Sequence, residues 1–238
     1  TVLPDKEENP PRTTAREYVL HLYRNDEEKI GNFKPLPAED VDFVSSDPIV
    51  IDITQYPIIS ADVFKTLKED YPDKSIIFKG NDYTLQIFGA DIDGVIPNVE
   101  SFDLRFSFRT PDEKKIRDAM DAAGNNSHIE PVYYYFNQHG ALPAEMLLTV
   151  DLGRHYSNET LFWNYYNQER DRIDYYGYVH TNAKGTFSVP ISHFSTYLST
   201  SEKIRGAENK SDEYGNPIPF TEETENLNSA NSANKDIP

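Results

Sequence analysis

Apolar side chains fall at every second position in short runs separated by turn residues, and that period constrains this chain more than any other feature. Phe102, Leu104, Phe106 and Phe108 alternate with Asp103, Arg105 and Ser107. Successive side chains of a strand point to opposite faces, so this run reads as a half-buried strand with one buried face. Glu17–Tyr23 alternates too, with Tyr18, Leu20 and Leu22 on one side. Strand signals recur at Ile49–Ile53, Ser75–Phe78, Tyr83–Phe88, Val132–Phe136, Met146–Leu152, Leu161–Tyr166, Tyr175–Val179 and Thr186–Ile191. Gly80-Asn81-Asp82 and Asn182-Ala-Lys-Gly185 supply hairpin turn chemistry. The 16 Tyr and 13 Phe, set against 2 Met and 1 Trp, favour strands as well.

Two segments carry a helical period instead. In Ser60–Tyr71, Ser60 stands as a cap and Val63, Phe64, Leu67 and Tyr71 share a face. Thr110-Pro-Asp-Glu113 forms a capping box with Pro111 at the first helical position. Ile116, Ala119, Met120 and Ala123 then make a stripe, and Gly124 marks a stop. Many short strands with two helices between them predict an all-β fold, an antiparallel β-sandwich with two short inserted helices. Residues 1–14, with three prolines, read as a linker, residues 15–204 as the sandwich module and residues 205–238 as a disordered acidic tail. A start at Thr1 reads as a fragment or a processed product, whose targeting signals lie outside it.

Charge and composition remove several function classes. Lys plus Arg number 23 against 40 Asp plus Glu, a net charge of −17 that repels nucleic-acid phosphates and anionic lipid. Without cysteine the chain has no disulfide, thiolate nucleophile or Cys-ligated zinc. A Cys-free, aromatic-rich β module fits a bacterial surface protein, and zero Cys fits a cytosolic one too. No run reaches the roughly 18 apolar residues of a spanning helix, so this stretch is not expected to insert in a membrane.

The middle of the chain resembles a known module. Asp47-Pro-Ile-Val-Ile-Asp-Ile53, Ile59-Ser-Ala-Asp-Val-Phe-Lys-Thr-Leu-Lys68, Tyr83-Thr-Leu-Gln-Ile-Phe-Gly89 and Asp91-Ile92 resemble a β-sandwich module of cell-surface proteins from Clostridia-type Gram-positive bacteria. Leu85 stands where that module usually has Trp. Leu142-Pro143, Met146–Leu152, Asn158–Asn167, Tyr178-Val179, Gly185-Thr-Phe187 and a terminal Ile191-Ser-His-Phe-Ser-Thr-Tyr-Leu198 continue the likeness, which covers about residues 47–200. The resemblance implies a secreted or wall-attached β-sandwich, often beside repeats that bind sugars or proteins, with no catalytic residues.

Three groups of residues are candidates for chemistry. His193-Phe194-Ser195 matches the scissile step of self-cleaving sandwich domains of the ankyrin and netrin-receptor type, where the Ser hydroxyl attacks the preceding carbonyl with help from His. A packed Phe194 between two outward polar neighbours is the structural alternative. Tyr134, Trp163, Tyr165 and Tyr176 stand in dense aromatic runs that suit a sugar-binding face, although half of any consecutive tyrosines must point inward. Asp91-Ile-Asp93-Gly94 begins like a calcium loop, but Asp103 and Asp112 do not continue the ligand spacing. The six His show no HxH or HExxH spacing, and no phosphate loop or G-x-S-x-G elbow is present, so no metal and no cofactor is expected. Asn125, Asn158 and Asn209 begin glycosylation sequons at a frequency close to chance.

The sequence therefore predicts a non-enzymatic extracellular or wall-attached module, structural or adhesive, that presents or spaces binding domains and takes a glycan or protein ligand. A carbohydrate-binding module on the aromatic face and a self-cleaving domain are the alternatives.

Overall fold

A computed structural model of the chain describes residues 33–92 and 98–209. The strand expected at Glu17–Tyr23 and the linker at 1–14 lie outside the described residues. The first strand, β1 (Ile49–Asp52), alternates buried and exposed, as its sequence requires. A short β2 (Ile58–Ser60) leads into helix α1 (Ala61–Asp70), and the chain returns through β3 (Ser75–Lys79) and β4 (Tyr83–Phe88). Strands β5 (Ser101–Asp103) and β6 (Phe106–Ser107) precede helix α2 (Glu113–Gly124). Then come β7 (Val132–Asp151), β8 (Thr160–Asn167), β9 (Arg172–His180), β10 (Thr186–Thr200) and β11 (Glu208–Asn209).

The fold is mostly β with two helices, but the main sheet is mixed rather than antiparallel. Nine strands run in the order β1-β3-β4-β7-β10-β8-β9-β11, with β6 beside β7, and β2 and β5 make a separate pair. Strands β1 and β3 are parallel, with Ile49 opposite Ile76 and Ile51 opposite Phe78, and β9 and β11 are parallel as well. Parallel neighbours need a crossover. Helix α1 lies in that crossover, so it is part of the sheet's connectivity and not an insertion. Its Ala61, Val63, Phe64 and Leu67 are buried, and the Phe64 ring meets Phe78 of β3 at 5.7 Å and Phe102 of β5 at 4.9 Å.

Helix α2 covers the opposite face at the other end of the sheet. Ile116, Ala119 and Met120 form a second core with Ile129, Tyr133, Tyr166, Ile173, Leu198 and Ile204. Its cap differs from the expected one: Asp112 holds the N-cap position, and the Thr110 hydroxyl accepts the Asp112 N–H at 3.2 Å in the turn before it. Pro111 is thus outside the helix. Gly124 is the last helical residue, and Asn125 caps it in the left-handed region at φ 58°. Ser60 precedes α1 without a side-chain capping bond.

The run Phe102–Phe108 breaks into β5 and β6, which pair with different partners. The Asp103 carboxylate turns the chain there: it accepts the Arg105 backbone N–H at 3.0 Å, the Arg105 guanidinium and the Asn137 amide at 2.7 Å. Phe102, Leu104 and Phe108 still reach the core, and Phe106 packs half-buried against it. Val132–Phe136 and Met146–Leu152 merge into β7, and β10 runs nine residues past the expected Ile191, to Thr200. Residues 205–209, assigned to the tail by composition, belong to the fold. The Asn126 side chain bonds both the N–H and the carbonyl of Arg205 at 3.0 Å, and β11 follows.

Asn182–Gly185 does turn tightly, with Gly185 N–H donating to the Asn182 carbonyl at 2.9 Å, but the strands it joins are not sheet neighbours. Gly185 has φ +84°, and a Cβ there would lie 1.8 Å from the Gly153 carbonyl oxygen, so glycine alone fits.

Two stability outcomes follow. Phe64→Ala should cost about 3–5 kcal/mol in urea unfolding, and Phe106→Ala clearly less, because Phe106 is only half-buried. Burial works to raise the Asp103 pKa, but the hydrogen bonds from Arg105 and Asn137 outweigh it and hold the carboxyl below its usual value. A depressed folded pKa means stability that is present above the unfolded carboxylate pKa of about 4 and lost as pH falls through the folded one. Thermal unfolding between pH 5 and pH 2, on the order of that range, should therefore show a shallower acid loss in Asp103→Asn than in the parent chain.

Candidate functional site at the bend of the main sheet

The aromatic and His193 candidates converge on one place, set by the ladder between β7 and β10. That ladder pairs Thr186–Ile191 with Asp151–Met146 and Thr196–Ser199 with Tyr135–Val132, and between them its register breaks twice. Ser192 alone stands opposite residues 142–145, and Ser195 alone opposite residues 136–139. Unequal insertions of this kind bend a strand pair. The bend curls the sheet until Phe187, near the start of β10, packs against Trp163 of β8 at 5.7 Å and Tyr134 of β7 at 5.8 Å.

Tyr197 is the hub of the concave side. It stacks on Trp163 at 5.3 Å, and its ring lies 5.8 Å from Tyr165, 5.6 Å from His193 and 6.4 Å from Tyr176. Trp163 in turn meets Tyr134 at 4.8 Å. A third break, between Trp163 and Asn164 of β8, leaves Tyr176 as an extra residue on β9 and turns it into this cluster, 5.7 Å from Tyr165.

Burial decides what these rings can do. Tyr134 is 0% exposed and Trp163 4%, so neither offers a face to a ligand. Tyr165 and Tyr176 are partly buried. The four residues named from sequence therefore do not form an exposed platform. Each buried phenol that contacts a polar atom serves the fold. Tyr134 shares a 2.7 Å hydrogen bond with Ser199, and Tyr197 donates to the His193 carbonyl at 2.9 Å. Tyr165 lies beside the Ser195 hydroxyl. Burial pushes the phenols of Tyr134, Tyr165, Tyr176 and Tyr197 up, and the Asp174 carboxylate adds to this at Tyr165 and Tyr176. All four phenols are neutral at physiological pH. Burial also pushes Tyr156 up, to about 12.

The tripeptide His193-Phe194-Ser195 occupies the bend itself. Phe194 is 1% exposed and stacks on Phe136 at 4.7 Å, and Ser195 is 4% exposed. His193 is partly exposed, edge-on to Tyr165 at 5.0 Å. Its Nδ1 lies 3.4 Å from the Ser192 hydroxyl and 3.5 Å from that of Tyr197. The outward Ser195 expected from sequence is not found: residues 194–200 are all buried, because cores cover β10 on both faces there.

Other candidates fall elsewhere. Asp91 ends a 3-10 turn, and Asp93 and Gly94 lie outside the described residues. Asp103 is taken by Arg105 and Asn137, and Asp112 by Lys115 and Gln168. Among the described residues no group of three His, Asp or Glu is placed to hold a metal ion. No described helix is long and apolar enough to cross a membrane. Sequence reasoning missed Tyr197 and Asp174. The signal was present for Tyr197: His193, Ser195, Tyr197 and Ser199 recur at every second position. Asp174 is 4% exposed and ion-paired with Arg172 at 2.7 Å, which no local pattern announces.

Comparison with known proteins finds no matching family model, no matching characterised protein and no matching solved structure.

Tyr134→Phe should lower stability by about 1–3 kcal/mol, because it strands the Ser199 hydroxyl in the core. Urea unfolding checks this, and the Tyr134→Phe, Ser199→Ala double variant should recover part of the loss.

Proposed function

We infer that the chain is an extracellular, cell-surface or wall-attached module that works as a structural or adhesive unit, presenting or spacing binding domains. The observation that carries this reading is the fate of its chemically suggestive residues. Tyr134, Trp163, Phe194 and Tyr197 are packed into the core, with the Tyr134 phenol hydrogen-bonded to Ser199 and the Tyr197 phenol donating to the His193 carbonyl. A cluster so engaged stiffens the bend and gives a rigid body with a shape of its own. We read the curled sheet as a sandwich made by one sheet facing itself, in keeping with the surface module that residues 47–200 resemble. The absence of cysteine suits a module that needs no disulfide, since its two cores supply the burial.

Self-processing is the second reading, and one observation favours it: one register break immediately precedes His193 and the other falls at Ser195. Against it, His193 Nδ1 faces the hydroxyls of Ser192 and Tyr197, while Ser195 lies beside Tyr165. Mass spectrometry of purified protein held for days near neutral pH separates the two readings. The expected outcome is one intact mass. Two fragments split after Phe194, and absent in Ser195→Ala, would replace the structural reading with a self-processing one.

A further inference from the structure

The outer face of β8 and β9 presents a second set of aromatic side chains. Phe162 stands opposite Tyr178, and Thr160 opposite His180. The Thr160 hydroxyl lies 2.9 Å from His180 Nδ1, which places that pair on one face. The extra residue Tyr176 shifts the alternation of β9, so that Tyr175 joins this face with its ring 6.3 Å from Phe162. The Tyr178 and His180 rings meet edge to face at 5.2 Å. Lys203 Nζ sits 4.3 Å above the Tyr175 ring at the rim. The core under α2 takes in Tyr166, Ile173 and Leu198, while Phe162, Tyr175 and Tyr178 stay partly exposed and Thr160 and His180 exposed.

We propose that this face binds an uncharged oligosaccharide. The inference deepens the adhesive reading above and rests on it. Ring faces accept the C–H side of a sugar ring, and the phenols, the imidazole, the Thr160 hydroxyl and the Lys203 ammonium border them with hydrogen-bonding groups. Charge selects the occupant further. The face carries no carboxylate among these six side chains, yet it belongs to a chain of net charge −17, which repels sulfated, phosphorylated or carboxylated glycans at long range. A neutral saccharide escapes that repulsion and keeps the stacking.

The test uses the full chain on an array of neutral and acidic glycans, with cellohexaose, chitohexaose and mannohexaose titrated in solution. At least one neutral glycan should bind, and Phe162→Ala and Tyr178→Ala should each weaken it about tenfold or more. Tyr178→Phe should retain most of the affinity, and Thr84→Ala, on a different strand, should retain all of it. Urea unfolding midpoints confirm that the alanine variants fold. Binding to no neutral glycan, binding to acidic glycans alone, or undiminished binding by both folded alanine variants overturns the proposal. An intact, folded chain that binds no glycan leaves the spacing module in place, whereas fragmentation after Phe194 overturns the module reading itself.

Discussion

Everything in the main sheet depends on the ladder between β7 and β10. These are its two longest strands, 20 and 15 residues, and they carry the other strands on their flanks. Strand β4 pairs with the C-terminal half of β7 and β6 with its N-terminal half, while β8 pairs only with the C-terminal half of β10. A straight ladder of this length would make a flat sheet with an open apolar face. The two breaks at Ser192 and Ser195 prevent that. They let the sheet fold over the rings of Phe187, Trp163 and Tyr134 and remove them from water, each ring contributing roughly 1.5–3 kcal/mol by burial.

The bend is also where polar groups must enter a core, and the phenols solve that problem. Tyrosine brings a large apolar surface and one hydroxyl, and a buried hydroxyl is tolerated when it meets an acceptor. Tyr83 donates to the Leu104 carbonyl at 2.6 Å, and Tyr166 to Asp171 at 2.7 Å. The cluster around Tyr197 repeats the arrangement on the concave side. A chain with 16 tyrosines can thus pin an irregular backbone from within, where leucine would fill the same volume and leave the broken ladder's polar groups unpaired.

This division of labour bears on function. Rings on the concave side of the bend pack into the core, and rings on the outer face of β8 and β9 stay partly exposed. The single-residue bulge at Tyr176 sorts one set from the other. Adjacent tyrosines, Tyr175 and Tyr176, end on opposite faces and in different roles, one near Lys203 at the surface and one beside Tyr197 in the cluster.

Much of the local structure was legible in the sequence, because period and turn chemistry are local properties. Tyr83–Phe88 is a strand with the expected bounds, the turn at Gly80-Asn81-Asp82 joins antiparallel β3 and β4, and both helices lie where their apolar stripes put them. The sequence also determined that no thiol chemistry is possible. Tertiary structure alone decided the rest. Nothing local tells β1 to lie parallel to β3, since that depends on where α1 packs. Nothing local ends β5 at Asp103, where Asn137, 34 residues away, helps to fix the carboxylate. Alternation put His193 and Ser195 at the surface, yet Ser195 is buried, because distant elements cover both faces of β10 there. Which tyrosines face solvent was settled in the same way, because one unpaired residue in a ladder inverts every face beyond it.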